Sequence, residues 1–160
     1  MYKILLFGGT GFVGDNFTKL YKEHYQILSF GSAHDVRDFM VVDEIIRVHQ
    51  PEYVINLASI STVKQCEDNR EICYDISFEG NKNIINALKK CNKIKSYLYI
   101  SSSEVYDHDY YNRNHSLTES DRITRYNAYN SGKLDSEDYC NSNISHKYKL
   151  NIARPFTHIG

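Results

Sequence analysis

Tyr129 and Lys133 are the pair in this chain best suited to move a proton. They lie in "RYNAYNSGK", residues 125–133, four positions apart. In a helix that spacing sets a phenol and an ammonium on one face. A phenol exchanges a proton with a substrate hydroxyl near neutrality if its pKa falls from about 10 towards ~7, roughly 4 kcal/mol. An adjacent cation stabilises the phenolate in that sense. The spacing alone decides little, because 14 of the 160 residues are tyrosine. Tyr126, seven residues before Lys133, is an alternative, and two exposed side chains on one helix face fit the same pattern.

A second constellation follows the first apolar run. "GGTGFVG" places Gly8, Gly11 and Gly14 as G-x-x-G-x-x-G, a variant of the dinucleotide fingerprint. The first glycine permits a tight turn and the next a close approach of backbone to a pyrophosphate. The third lets the helix pack on the sheet, with its N-terminus facing the phosphates. In this fold the second strand normally ends in an acidic residue for the adenosine ribose. Here it ends Ser29-Phe30-Gly31-Ser32, with His34 and Arg37 nearby. Without that carboxylate a 2′-phosphate meets no repulsion, so the cofactor is NAD or NADP with a lean to NADP.

These groups need a scaffold, and the apolar pattern supplies one. Short β-type runs at 3–7, 26–30, 53–57, 96–100 and 150–154 alternate with helix-compatible stretches near 12–23, 39–49, 66–92 and 126–146. Strands separated by helices make β-α-β units with right-handed crossovers, hence an α/β, doubly wound parallel sheet. With no repeat, low-complexity tract or linker, residues 1–160 read as one NAD(P)-binding domain. Five strands are counted where the dinucleotide fold usually has six, so the chain is expected to be the front half of a longer enzyme, without its substrate lobe.

Bulk composition narrows the function classes. Nineteen basic and twenty acidic residues leave a net charge of −1, which argues against a nucleic-acid or membrane-surface footprint. The start "MYKILLFGG" is too short for a signal-peptide core or a bilayer span, so a cytoplasmic protein is expected. Cys66, Cys73, Cys91 and Cys140 form no C-x-x-C, and all four are expected to be reduced thiols, with no metal site. His108, between Asp107 and Asp109, reads as part of a hydrated loop or lid.

With these features in order, the chain resembles the extended short-chain dehydrogenase/reductase family, also called the NAD-dependent epimerase/dehydratase family. "GGTGFVG" resembles its glycine loop, "HDVRD" its adenine-side element, and "PEYVINLAS" the strand beneath the cofactor. "SFEGNKNIINA" resembles its central helix, "SSSEVY" its catalytic serine/threonine strand end, and "YNSGK" its Y-x-x-x-K. The resemblance implies Ser102, Tyr129, Lys133 and Glu104 as catalytic residues, with Ser101 and Ser103 as alternatives to Ser102. It implies cofactor contacts from Gly8, Gly11, Phe12, Val13, Gly14, Asp35, Val36, Leu57, Ala58, Ser59, Tyr129, Lys133, Arg154 and Phe156. Lys133 would also hold the nicotinamide ribose, and Thr157 and His158 would face a nucleotide sugar.

Departures from the family pattern are Ser77, Asn81, Asp107 and Gly132, the last a mid-helix glycine costing about 1 kcal/mol relative to alanine. Glu104 matches a glutamate that removes a proton in similar 4,6-dehydratases, yet "SEVY" also occurs in relatives that reduce, epimerise or decarboxylate. The terminal "ARPFTHIG" resembles GDP-mannose dehydratases and GDP-4-keto-6-deoxy-mannose reductases. The implied function is 4-keto reduction or 4,6-dehydration of a nucleotide sugar in surface polysaccharide synthesis, by a homodimer pairing 77–91 and 127–146. The alternatives are an epimerase, or a dinucleotide-binding fragment without turnover.

Overall fold

The computed structural model describes residues 1–107, 116–144 and 147–156. His108, Thr157 and His158 lie outside the described residues. Five strands, β1 (Lys3–Phe7), β2 (Gln26–Phe30), β3 (Tyr53–Asn56), β4 (Ser96–Ile100) and β5 (Lys149–Ala153), form one sheet in the order β2-β1-β3-β4-β5. All four pairings are parallel. The expected strands are therefore present to within a residue at each end. Parallel strands are covered on both faces, which is why "KILLF" and "SYLYI" are nearly continuous apolar runs. Leu5, Leu6, Phe7, Tyr97 and Tyr99 are fully buried.

The chain winds outward from β1 to β2, then returns past β1 to β3 and onward to β5. That reversal leaves a crevice beyond the carboxyl ends of β1 and β3, where ligands bind in open α/β sheets. Helices α1 (Phe12–Tyr21) and α2 (Phe39–His49) serve the first half. The N-cap of α2 is Asp38, whose carboxylate accepts from the Met40 and Val41 N–H groups, and its C-cap is Gln50 at φ 43°. Val42, Ile45 and Ile46 form its buried stripe and meet Ile84, Ile85 and Leu88 in the main core. Each such side chain contributes about 1.5–3 kcal/mol by burial.

The expected helix over 66–92 is instead a broken run. Thr62 caps α3 (Val63–Asp68) by accepting from Gln65 N, so the helix starts early. Asn69, at φ −142° and ψ 58°, leaves helical geometry and ends it. The chain resumes as α4 (Arg70–Tyr74), widens into a π-helical turn over Asp75–Glu79, and continues as α5 (Gly80–Leu88).

This break also corrects the expectation of four reduced thiols. It brings Cys66 and Cys73 to a Cα separation of 5.1 Å, and their sulfurs are bonded. Cys91 and Cys140 are free and buried.

Helix α6 (Ala128–Asn143) carries the tyrosine–lysine pair. Its buried positions Asn130, Lys133, Leu134 and Glu137 follow helical spacing but are mostly polar. Asn127 and Asn130 form a reciprocal capping box, and Glu67 of α3 accepts from Ala128 N at 2.8 Å. Gly132 earns its place by close approach: a Cβ there would lie 3.1 Å from Ser77 Cβ in the π-helical turn. The helix-propensity cost of glycine is thus set against tighter seating of α6. Asn81, another departure from the family pattern, is buried and accepts from the Tyr97 hydroxyl at 2.5 Å. Its amide donates to Ser136 O and Cys140 Sγ, joining α5 to α6.

Candidate active site

A cleft of about 780 Å³ runs along the carboxyl ends of β1, β3 and β4. Gly8 lines one end at φ +73°, where a Cβ would fall 2.6 Å from Ala58 N and Leu57 C. Only glycine holds that left-handed turn and lets the β1 and β3 loops touch. Gly11 is the N-cap of α1 and supplies no side-chain acceptor. The first-turn N–H groups of α1 therefore carry the positive end of the helix dipole with no side-chain cap, which suits a phosphate. Together with the volume of the cleft, this cradle fits a dinucleotide.

Further along, Asp35 and Arg37 share a two-pronged hydrogen bond, Nε to Oδ1 at 3.0 Å and Nη2 to Oδ2 at 2.6 Å. The Arg37 guanidinium holds the Asp35 carboxyl below its ordinary pKa, against a partial desolvation. Arg37 is thereby engaged, while Ser32 and His34 line the cleft beside it.

At the far end, β4 delivers Ser101, Ser102 and Ser103, and Glu104 follows in a short 3-10 turn. Ser102 Oγ accepts from Glu104 N at 3.1 Å. Tyr129 and Lys133, from the first two turns of α6, face the same space. Lys133 is 3% exposed and donates from Nζ to Ile100 O at 2.9 Å. Its ammonium lies over the rings of Tyr99 and Tyr129, 5.4 and 5.8 Å from their centroids. Burial lowers the Lys133 pKa to about 8, opposed by the negative charge of Glu137.

The expectation that Lys133 depresses the Tyr129 phenol is not met in this geometry. Burial pushes Tyr129 up, the nearby Ser102 hydroxyl opposes that shift, and the Glu104 charge adds to it. The lysine is turned to the Ile100 carbonyl, and removal of the phenol from water is the largest cause of its shift.

Beneath this end lies an ion pair. Arg154 donates from Nε to Glu137 Oε1 at 3.0 Å and from Nη2 to Oε2 at 2.6 Å. Its guanidinium also stacks on Tyr106, 5.1 Å from the ring centroid.

Residues 4–160 match the NAD dependent epimerase/dehydratase family. The chain belongs to that family. It is 25% identical to the GDP-6-deoxy-D-talose 4-dehydrogenase of Aggregatibacter actinomycetemcomitans, covering 99% of this chain and 53% of that protein. The structure of RMD from Pseudomonas aeruginosa complexed with NADPH superposes with a TM-score of 0.87 at 25% identity. That match covers all of this chain and 55% of the other. The dTDP-4-dehydrorhamnose reductase of Bacillus anthracis in complex with NADP shares the fold at TM-score 0.85 and 23% identity, over 98% of this chain and 54% of that one. The chain thus spans about half the length of these relatives.

Of the residues that the family resemblance singled out, the cleft wall brings together Gly8, Gly11, Phe12, Val13, Gly14, Asp35, Val36, Leu57, Ala58, Ser59, Ser102, Glu104, Tyr129, Lys133 and Phe156. Arg154 is placed elsewhere, because Glu137 takes its guanidinium. Sequence reasoning passed over Thr10, Ser61 and Ile76, which also line the cleft. It also passed over Asn130 and Glu137, which hold other site residues in place. Their signal was available as polar side chains on the inward face of a helix.

Proposed function

We propose that this chain is the dinucleotide-binding part of an NAD(P)-dependent oxidoreductase that reduces the 4-keto group of a nucleotide-activated sugar. The observation that carries the reading is the convergence of Ser102, Tyr129 and Lys133 on the cleft that begins at the glycine cradle. Bound there, the cofactor would supply the hydride. Gly8, Gly11 and the start of α1 would hold its pyrophosphate, with Asp35 and Val36 on the adenine side. Tyr129 would give its proton to the ketone oxygen as that oxygen becomes an alkoxide. Ser102 would share the hydrogen bond to the same oxygen, and the charge of Lys133 would favour the phenolate left behind.

NADPH is the expected partner, since β2 ends without a carboxylate. Glu104 on the cleft wall also supports a second reading, 4,6-dehydration, in which a carboxylate removes a proton. The protein is titrated with NADPH and NADH by nucleotide fluorescence, then supplied with a nucleoside-diphosphate 4-keto-6-deoxyhexose while NADPH absorbance is followed. Tighter binding of NADPH and ketone-dependent oxidation are expected. Failure to bind either nucleotide would overturn the reading, and binding without turnover would restrict it to a cofactor-binding module.

A further inference from the structure

We propose that Tyr126 is a positioning residue that ties Glu104 to the cleft wall, so that the site reduces a ketone instead of removing a proton beside it. This rests on the ketone-reduction reading above. The proton on a carbon next to a ketone is acidic, and Glu104 lines the same cleft as Ser102 and Tyr129. A mobile carboxylate there would accept that proton, and the C–H electron pair would pass into an enolate on the ketone oxygen.

In the structure the carboxylate is held. The Tyr126 hydroxyl lies 2.8 Å from Glu104 Oε2 and 2.9 Å from the Glu104 carbonyl oxygen. Its single proton is shared between these acceptors, and either bond draws the Glu104 turn towards the start of α6. Asn130, fully buried, donates from Nδ2 to the same carbonyl at 3.2 Å and to Thr124 O at 2.5 Å. Glu104 N is fixed on Ser102 Oγ. Swinging the carboxylate towards a substrate carbon breaks a hydrogen bond to an ionised group, about twice as strong as a neutral one. Tyr126 is 48% exposed, so Tyr126→Phe removes the hydroxyl without hollowing the core.

The test compares wild type, Tyr126→Phe and Tyr126→Phe/Glu104→Gln in the full-length protein, in D2O, with GDP-4-dehydro-6-deoxyhexose and dTDP-4-dehydrorhamnose as probes. Deuterium entering the carbons beside the ketone is read by mass spectrometry and divided by the rate of NADPH oxidation. The ratio is expected to rise about tenfold in Tyr126→Phe and to return to the wild-type value in the double variant. An unchanged ratio overturns the proposal, and so does a rise that persists without Glu104. The contact is also read without substrate, from urea unfolding of wild type, Tyr126→Phe, Glu104→Ala and Tyr126→Phe/Glu104→Ala. Coupling worth about a fivefold change in the folded-to-unfolded ratio is expected. Its absence overturns the proposal whatever the turnover, whereas loss of NADPH binding in wild type overturns only the functional reading.

Discussion

At the glycine end of the cleft the binding surface is main chain: Gly8 at φ +73° against the Leu57–Ala58 peptide, and the uncapped N-terminus of α1. At the Tyr129 end it is side chains, held by hydrogen bonds. Lys133 rests on Ile100 O, and Glu104 on Tyr126 and Ser102. A surface made of backbone is fixed by conformation and tolerates no added atom. A surface made of side chains depends on hydrogen bonds that can be removed singly while the fold stays intact. Binding and chemistry should therefore separate cleanly when one end or the other is altered.

The largest separation is expected from Tyr129→Phe in the full-length protein. If Tyr129 is the proton donor, its loss should lower kcat about 10³-fold, with affinity for NADPH within about twofold of wild type. Steady-state rates and a fluorescence titration on the same preparation check this. A comparable loss from Tyr126→Phe, with Tyr129→Phe still active, would move the donor to the other tyrosine.

At the opposite end, Gly8→Ala should not separate the two properties. The new Cβ would meet backbone atoms at 2.6 Å in a left-handed turn, so the β1 and β3 loops must part. Strain and overpacking should cost roughly 2–4 kcal/mol of stability, and NADPH affinity should fall about tenfold or more as the cradle opens. Urea unfolding and titration should move together. Loss of affinity at full stability would mean that the glycine touches the nucleotide and does not shape the loop.

The contrast between the ends also accounts for what the sequence could reveal. The glycine end is local: "GGTGFVG" follows β1 directly, and the three glycines are constrained by one turn and one helix start. The sheet was readable for the same reason, since a strand buried on both faces is written as an apolar run. Tyr129 and Lys133 were visible as an i, i+4 pair, but their environment was not. Lys133 sits in a pocket closed by Ile100 and Tyr99, about thirty residues earlier in the chain. Arg154 was assigned from the run around it, whereas its direction is decided by Glu137, 17 residues away. The break at Asn69 and the Cys66–Cys73 bond escaped because helix periodicity over 66–92 continues through them. Only Thr62 and Asn69 mark the ends of α3.

The smallest expected effect concerns Lys133, where the two ends can be compared by pH alone. Burial lowers its pKa to about 8, so roughly nine-tenths of the free protein carries the ammonium at pH 7 and about one-tenth at pH 9. If the ammonium holds the nucleotide, NADPH affinity should fall about tenfold between these values. Lys133→Arg keeps its charge throughout and should show no such slope, whatever its absolute affinity. Stability should respond in the other direction. The folded pKa lies below the ordinary lysine value of 10.5, so between about pH 8 and 10.5 the unfolded chain binds more protons than the folded one at this residue. Its contribution to stability therefore rises with pH across that window, and Lys133→Met, with no charge to bury, should lose the rise. Titrations at pH 7, 8 and 9, with urea midpoints at pH 8, 9 and 10 for wild type and both variants, test the two slopes together. Flat affinity with a rising midpoint would leave Lys133 as a buried cation that supports Tyr129 and would place all nucleotide binding at the glycine end.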